Sequence, residues 1–135
     1  MYNLLYTSSA TEEANYQTLE ELLQIARRNN IQSGITGMLL YSEGSFVQLL
    51  EGEKKNVIET FDKISLDKRH YDIEVVIEAN SSNRYFPNWQ MGFKWLEKAD
   101  MQRIENHENM DIKSFFKMSQ PFKLLKLMSI NHWNQ

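Results

Sequence analysis

Ile35-Thr36-Gly37-Met38-Leu39-Leu40-Tyr41-Ser42-Glu43-Gly44-Ser45-Phe46-Val47-Gln48-Leu49-Leu50-Glu51-Gly52 is the stretch that decides the fold. Ile35 to Ser42 reads as one strand and Phe46 to Glu51 as another, with Glu43-Gly44-Ser45 as the turn between them. The unit is a hairpin, and Gly52 closes it. On its N-terminal side, Leu19, Leu22, Leu23 and Ala26 share a helical face, with Glu20, Gln24, Arg27 and Arg28 off it. Thr18 and Glu21 fit a capping box at the start of that helix, and its end is expected near Asn29-Asn30. Ser8 to Gln17 is polar and reads as a loop. Before it, Tyr2, Leu4 and Tyr6 alternate with Asn3, Leu5 and Thr7, the pattern of a short strand.

Beyond the hairpin, Val57, Ile58, Phe61 and Ile64 predict a second amphipathic helix over about Lys54 to Leu66. Ile73, Val75 and Ile77 alternate with Glu74, Val76 and Glu78, a fourth strand. A polar loop, Asn80 to Asn88, leads to Trp89, Met91 and Phe93, whose alternation with Gln90, Gly92 and Lys94 predicts a fifth strand. The order β-α-β-β-α-β-β, with right-handed crossovers, gives an α+β ferredoxin-like sheet with both helices on one face. The tail is expected to cover the other face. Phe115 and Phe116 would lie on a short helix ending before Pro121. Leu124, Leu127 and Met128 would form the next apolar stripe, with Lys123 and Lys126 kept wet. The expected division is a domain over residues 1–96 and a helical extension over 97–135.

A chain of 135 residues, 41% hydrophobic and 24% charged, has the size and balance of one soluble globular domain. Its net charge of −3 leaves no basic excess to neutralise phosphates, so a nucleic-acid partner is not expected. No stretch is long or apolar enough to span a bilayer, and the first residues lack the basic region of a signal peptide, so a cytoplasmic location is expected. The chain has no cysteine, which excludes disulfides, a thiolate nucleophile, cysteine-based zinc sites and a cysteinyl–flavin bond.

Two positions stand out chemically. Gln48 lies on a hydrophobic strand beside Phe46 and Leu50, and a buried amide must find partners for its donors and its acceptor. Tyr6 lies on the first strand, where the topology brings a phenol within reach of that amide. Gln48 as a structural hydrogen-bonding residue and Tyr6 as a core aromatic is the plainer alternative. Asn29 and Asn30 could cap a helix end. Lys68-Arg69-His70 reads either as a solvated turn or as an anion clamp. There is no G-x-G-x-x-G after a strand and no Walker lysine, and His70, His107 and His132 lack metal-ligand spacing, so no metal is expected.

Leu4-Leu5-Tyr6-Thr7-Ser8-Ser9, Asn30 with Gly34-Ile35-Thr36-Gly37, Tyr41-Ser42, Phe46-Val47-Gln48-Leu49-Leu50-Glu51-Gly52, Asp67-Lys68-Arg69-His70 and Phe86-Pro87-Asn88-Trp89-Gln90-Met91 follow one another in an order that resembles the BLUF family over roughly Met1 to Leu96. The resemblance implies a blue-light photoreceptor that is not an enzyme and that binds FAD without a covalent bond. It implies photochemical roles for Tyr6 and Gln48, and cofactor contacts from Tyr6, Asn29, Asn30, Gln48, Arg69 and His70. Trp89 and Met91 would relay the signal. Light would drive an electron and a proton from Tyr6 towards the flavin, leaving the Gln48 amide rearranged. The changed amide would act through the fifth strand and the tail on a separate effector protein, or on self-association. A small ferredoxin-like hydrolase and a light-insensitive flavin-binding module are the competing readings.

Overall fold

The computed structural model describes residues 1–12, 15–97 and 112–113. They form β1 (Tyr2–Ala10), α1 (Tyr16–Ser33), β2 (Thr36–Ser42), β3 (Ser45–Gly52), α2 (Lys54–Ser65), β4 (His70–Asn80) and β5 (Gly92–Trp95). The sheet order is β4-β1-β3-β2-β5. Neighbours are antiparallel except β2 and β5, which run parallel from Met38↔Gly92 to Tyr41↔Trp95. This is the expected ferredoxin-like sheet, extended by β5 at the β2 edge. No helix among the described residues is long and apolar enough to cross a membrane.

Both faces of β1 and β3 are largely buried, one beneath the helices and the other beneath Phe86, Leu96 and Ile112. Side chains alternate between two cores. Leu4, Tyr6 and Leu50 pack with Leu19, Leu23 and Val57 beneath the helices. Leu5, Met38, Leu40, Val47 and Leu49 form the second core on the opposite face, joined there by Phe86, Leu96 and Ile112. Ile112 thus brings part of the tail onto that face. The expected helix at Phe115 and Phe116 and the stripe of Leu124, Leu127 and Met128 lie outside the described residues. Each fully buried leucine is worth about 1.5–3 kcal/mol relative to exposure.

Three local expectations are corrected. First, β1 continues to Ala10, well into the stretch read as a loop, and α1 begins at Tyr16. The capping box is Asn15 with Thr18: the Asn15 side chain accepts from the Thr18 amide at 2.9 Å, and the Thr18 hydroxyl accepts from the Asn15 amide at 3.2 Å. Second, α1 does not end at Asn29-Asn30. It runs to Ser33 and stops at Gly34, whose left-handed backbone (φ 66°) suits glycine. Third, β4 carries two bulges, one between the partners of Leu5 and Tyr6 and one between those of Thr7 and Ser9. The first inserts Val76 as an extra residue, so Ile73 packs under the helices while Ile77 packs on the opposite face. Simple alternation through Ile73, Val75 and Ile77 does not survive it.

Candidate functional site

Tyr6 and Gln48 are direct cross-strand partners in the β1–β3 register, so their side chains leave the same face side by side. Both are buried, at 3% and 6% exposure. The Tyr6 hydroxyl donates to Gln48 Oε1. Gln48 Nε2 donates in turn to the Met91 sulfur at 3.4 Å. The two contacts agree about the amide's orientation, because a thioether only accepts and the phenol keeps its proton. Burial pushes the Tyr6 phenol well above its ordinary value, and the negative charge of Asp67 adds to the effect. The Tyr6 ring packs 5.2 Å from that of Phe61 on α2.

This pair forms the floor of a cavity of about 290 Å³ between the two helices and the sheet. Leu22, Leu23, Ala26 and Asn29 of α1 form one wall. Lys63 and Ile64 of α2 stand opposite, with Asp67, Arg69 and His70 beyond them, and Leu39, Phe46 and Met91 complete the lining. Apolar walls with a few converging polar groups are the usual make-up of a small-molecule site.

Of the residues singled out in the sequence, Tyr6, Asn29, Gln48, Arg69, His70 and Met91 meet at this cavity. Asn30 is buried in the last turns of α1, and its amide donates to the Gln90 carbonyl at 2.6 Å. Arg69 is engaged by Asp67, with Nε 2.9 Å from Oδ1 and 3.0 Å from Oδ2. That partnership holds the Asp67 carboxyl down to about 2. His70 Nε2 faces the Ile64 carbonyl at 2.7 Å, and Nδ1 faces the Ser8 hydroxyl at 2.8 Å. A carbonyl only accepts, so Nε2 donates to Ile64 O.

Trp89 departs from expectation. Neither Trp89 nor Met91 lies in β5, which starts at Gly92, and the two side chains do not share a face. Met91 is in the core under the helices, and Trp89 packs on the opposite core, stacked on Phe86 with ring centroids 5.5 Å apart. The backbone turns here because three donors seize consecutive carbonyls. The Gly37 amide donates to Trp89 O at 3.0 Å, Asn30 Nδ2 to Gln90 O, and Arg27 Nε to Met91 O at 2.8 Å. Gly37 and Gly92 permit the close approach. A Cβ on Gly37 would lie 1.9 Å from the Leu49 carbonyl oxygen, and one on Gly92 would lie 2.4 Å from the Trp89 ring. Arg27 and Lys63 gave no signal of a site role in the sequence, since each is a charged residue on a helix face, and Asp67 entered only as part of a motif, with no role of its own. Only the fold turns them towards the site.

A ferredoxin-like sheet with a buried phenol–amide pair under a two-helix cavity defines an α+β domain with a candidate small-molecule site. The BLUF model, described as sensors of blue-light using FAD, matches residues 1–92, and the chain belongs to that family. The chain is 33% identical over 106 residues to the blue light- and temperature-regulated antirepressor BluF of Escherichia coli, a match covering 78% of this chain and 25% of that protein. It is 39% identical over 85 residues to photoactivated adenylate cyclase subunit beta of Euglena gracilis, covering 63% of this chain and 10% of that one. The solved ground state of BlsA superposes with a TM-score of 0.85 at 26% identity, covering 99% of this chain and 90% of that one. The chain therefore spans a tenth to a quarter of these two curated relatives but nearly all of BlsA. The domain is a sensory module rather than an enzyme.

Proposed function

We propose that this chain binds FAD in the cavity between α1 and α2 and works as a blue-light photoreceptor through a hydrogen-bond switch centred on Tyr6 and Gln48. The observation that carries the proposal is the continuous chain from the Tyr6 hydroxyl through the Gln48 amide to the Met91 sulfur, on the floor of that cavity. The residues suit a flat, mainly apolar ring with a polar edge. Leu22, Leu23, Ala26 and Ile64 offer apolar walls, and Gln48 and Asn29 offer amides. Arg69 and His70 line the same cavity, and Arg69 would have to share or leave Asp67 to meet a phosphate.

The bound flavin supplies the absorption of blue light and an oxidising excited state. Tyr6 is placed to give up an electron together with its phenolic proton, because oxidation makes the phenol strongly acidic and its hydroxyl already donates to Gln48 Oε1. Gln48 accepts from that hydroxyl and carries two donor hydrogens on its other atom, so one side chain can both receive and pass on a proton. Return of the electron and proton to Tyr6 restores the charges but can leave the amide turned or tautomerised. A turned amide presents Oε1 rather than Nε2 to Met91, and a tautomerised one keeps a single N–H on Nε2, so the Met91 contact changes in both. The Met91 segment then shifts between two packings, and the change passes through β5 and the tail to a separate effector or to a second copy of the chain.

The purified protein tests this directly. It should be yellow, and its flavin band should shift reversibly to the red under blue light. Tyr6→Phe and Gln48→Leu should keep the flavin and lose the normal photocycle. A protein that takes up no flavin on reconstitution rejects the reading. A yellow protein without the shift leaves only flavin binding, and a normal shift in either variant overturns the switch.

A further inference from the structure

The segment carrying Trp89 and Met91 is fastened at its start by a buried polar cluster that the photochemistry does not use. Glu51 stands three residues after Gln48 on β3, on the opposite face, and is 0% exposed. Its Oε1 accepts from the Tyr85 amide at 2.6 Å and its Oε2 from the Phe86 amide at 3.0 Å. The Thr36 hydroxyl donates to Oε2 at 3.3 Å and receives Arg84 Nη1 at 2.8 Å. Arg84 also reaches two backbone oxygens, that of Glu51 at 3.1 Å through Nη1 and that of Gly34 at 2.7 Å through Nη2.

Burying a carboxylate is costly unless its oxygens are well used. Burial does raise the Glu51 carboxyl above its ordinary value, against the opposing pull of the Tyr85 and Phe86 amides, Thr36 and Arg84. The two oxygens serve successive amides within the β4–β5 connection, three residues before Trp89. Phe86, held this way, is the ring on which Trp89 stacks. Five residues after Phe86 comes Met91, whose sulfur meets the Gln48 amide.

We propose that Glu51 and Arg84 are positioning residues that set the contact between Met91 and the Gln48 amide from the far side of the sheet. A carboxylate is specific to the task because it offers one acceptor oxygen to each amide. A glutamine there has nearly the same shape but presents an NH2 group to one of them, so one of the two fastenings at residues 85 and 86 is lost. A lysine in place of Arg84 keeps the charge but cannot span Thr36, Glu51 O and Gly34 O at once.

The effect on the photocycle rests on the function proposed above, so the test has a readout that needs no light. Full-length Glu51→Gln and Arg84→Lys are compared with the wild type by methyl NMR with labelled methionine. The expected result is a weakened cross-peak between the Met91 methyl and the Gln48 side-chain amide. With flavin bound, both variants should keep a red shift of normal size, and dark recovery should change by about 3-fold or more. A wild-type Met91 cross-peak and wild-type recovery in both variants, with only thermal stability lowered, would show that the cluster merely supports the fold and would overturn the proposal. If the wild type itself shows no light-induced shift, the photochemical reading fails, and the Met91 cross-peak alone decides the positioning role. If Glu51→Gln does not fold, Arg84→Lys decides on the same two measurements.

Discussion

The Gln48 amide donates to the Met91 sulfur across 43 residues of sequence, and that single weak hydrogen bond joins the floor of the cavity to the segment entering β5. A thioether is a poor acceptor, so the bond is easily given up. Met91→Leu should keep the volume and delete the acceptor. Stability in urea should fall by less than about 1.5 kcal/mol. The flavin should stay bound, and the lifetime of the lit state, followed by absorbance, should change.

Gly37→Ala should be severe. The new Cβ would meet the Leu49 carbonyl oxygen at 1.9 Å, which is backbone in a central strand and has nowhere to move. The loss should be about 1–3 kcal/mol or more, as for other overpacked interiors. Chemical unfolding measures it, and a flavin-loaded sample should also lose the Trp89 carbonyl contact, seen as faster exchange of the residue 37 amide.

The capping assignment is separable by mutation. Asn15→Ala should cost about 1 kcal/mol, because it orphans the Thr18 amide at the start of α1. Glu21→Ala should cost little, since Glu21 is exposed and lies outside the box. Thermal melts of the two variants give the comparison, and equal losses would contradict the geometry.

Acid stability should carry the mark of Asp67. Its folded value lies near 2, below the ordinary 3.8, because of its hydrogen bonds with Arg69. A depressed carboxyl stabilises the fold above its unfolded value, and that contribution disappears as pH falls from about 3.8 through 2. In Asp67→Asn the part of the acid-unfolding curve lying in that window should flatten, and an NMR titration of the wild type should find the low midpoint directly.

Much of this molecule is legible in its sequence. The hairpin from Ile35 to Gly52, both amphipathic helices and the sheet topology follow from periodicity, because burial on one face forces it. Gln48 is legible because an amide among apolar residues needs a reason. The errors have physical causes. Asn15-x-x-Thr18 is as good a helix start as Thr18-x-x-Glu21, and Tyr16 and Gln17 carry no apolar stripe to decide between them. Trp89, Met91 and Phe93 alternate like a strand, yet ladder pairing begins only at Gly92. What turns the chain before that point is a set of donors from Arg27, Asn30 and Gly37, all more than 50 residues away in sequence. The bulge at Val76 is equally silent, since an unpaired residue leaves no mark on a run of apolar side chains.

Trp89 and Met91, two residues apart, belong to the cores on opposite sides of one sheet. Binding linkage is reciprocal, so the coupling between those sides cannot run one way. Any molecule that docks on the second face and favours one arrangement of Trp89 must bias Met91 by the same factor. For the signalling proposed above, a partner docked there would be an input as well as an output, and its concentration would shift the balance between the two arrangements.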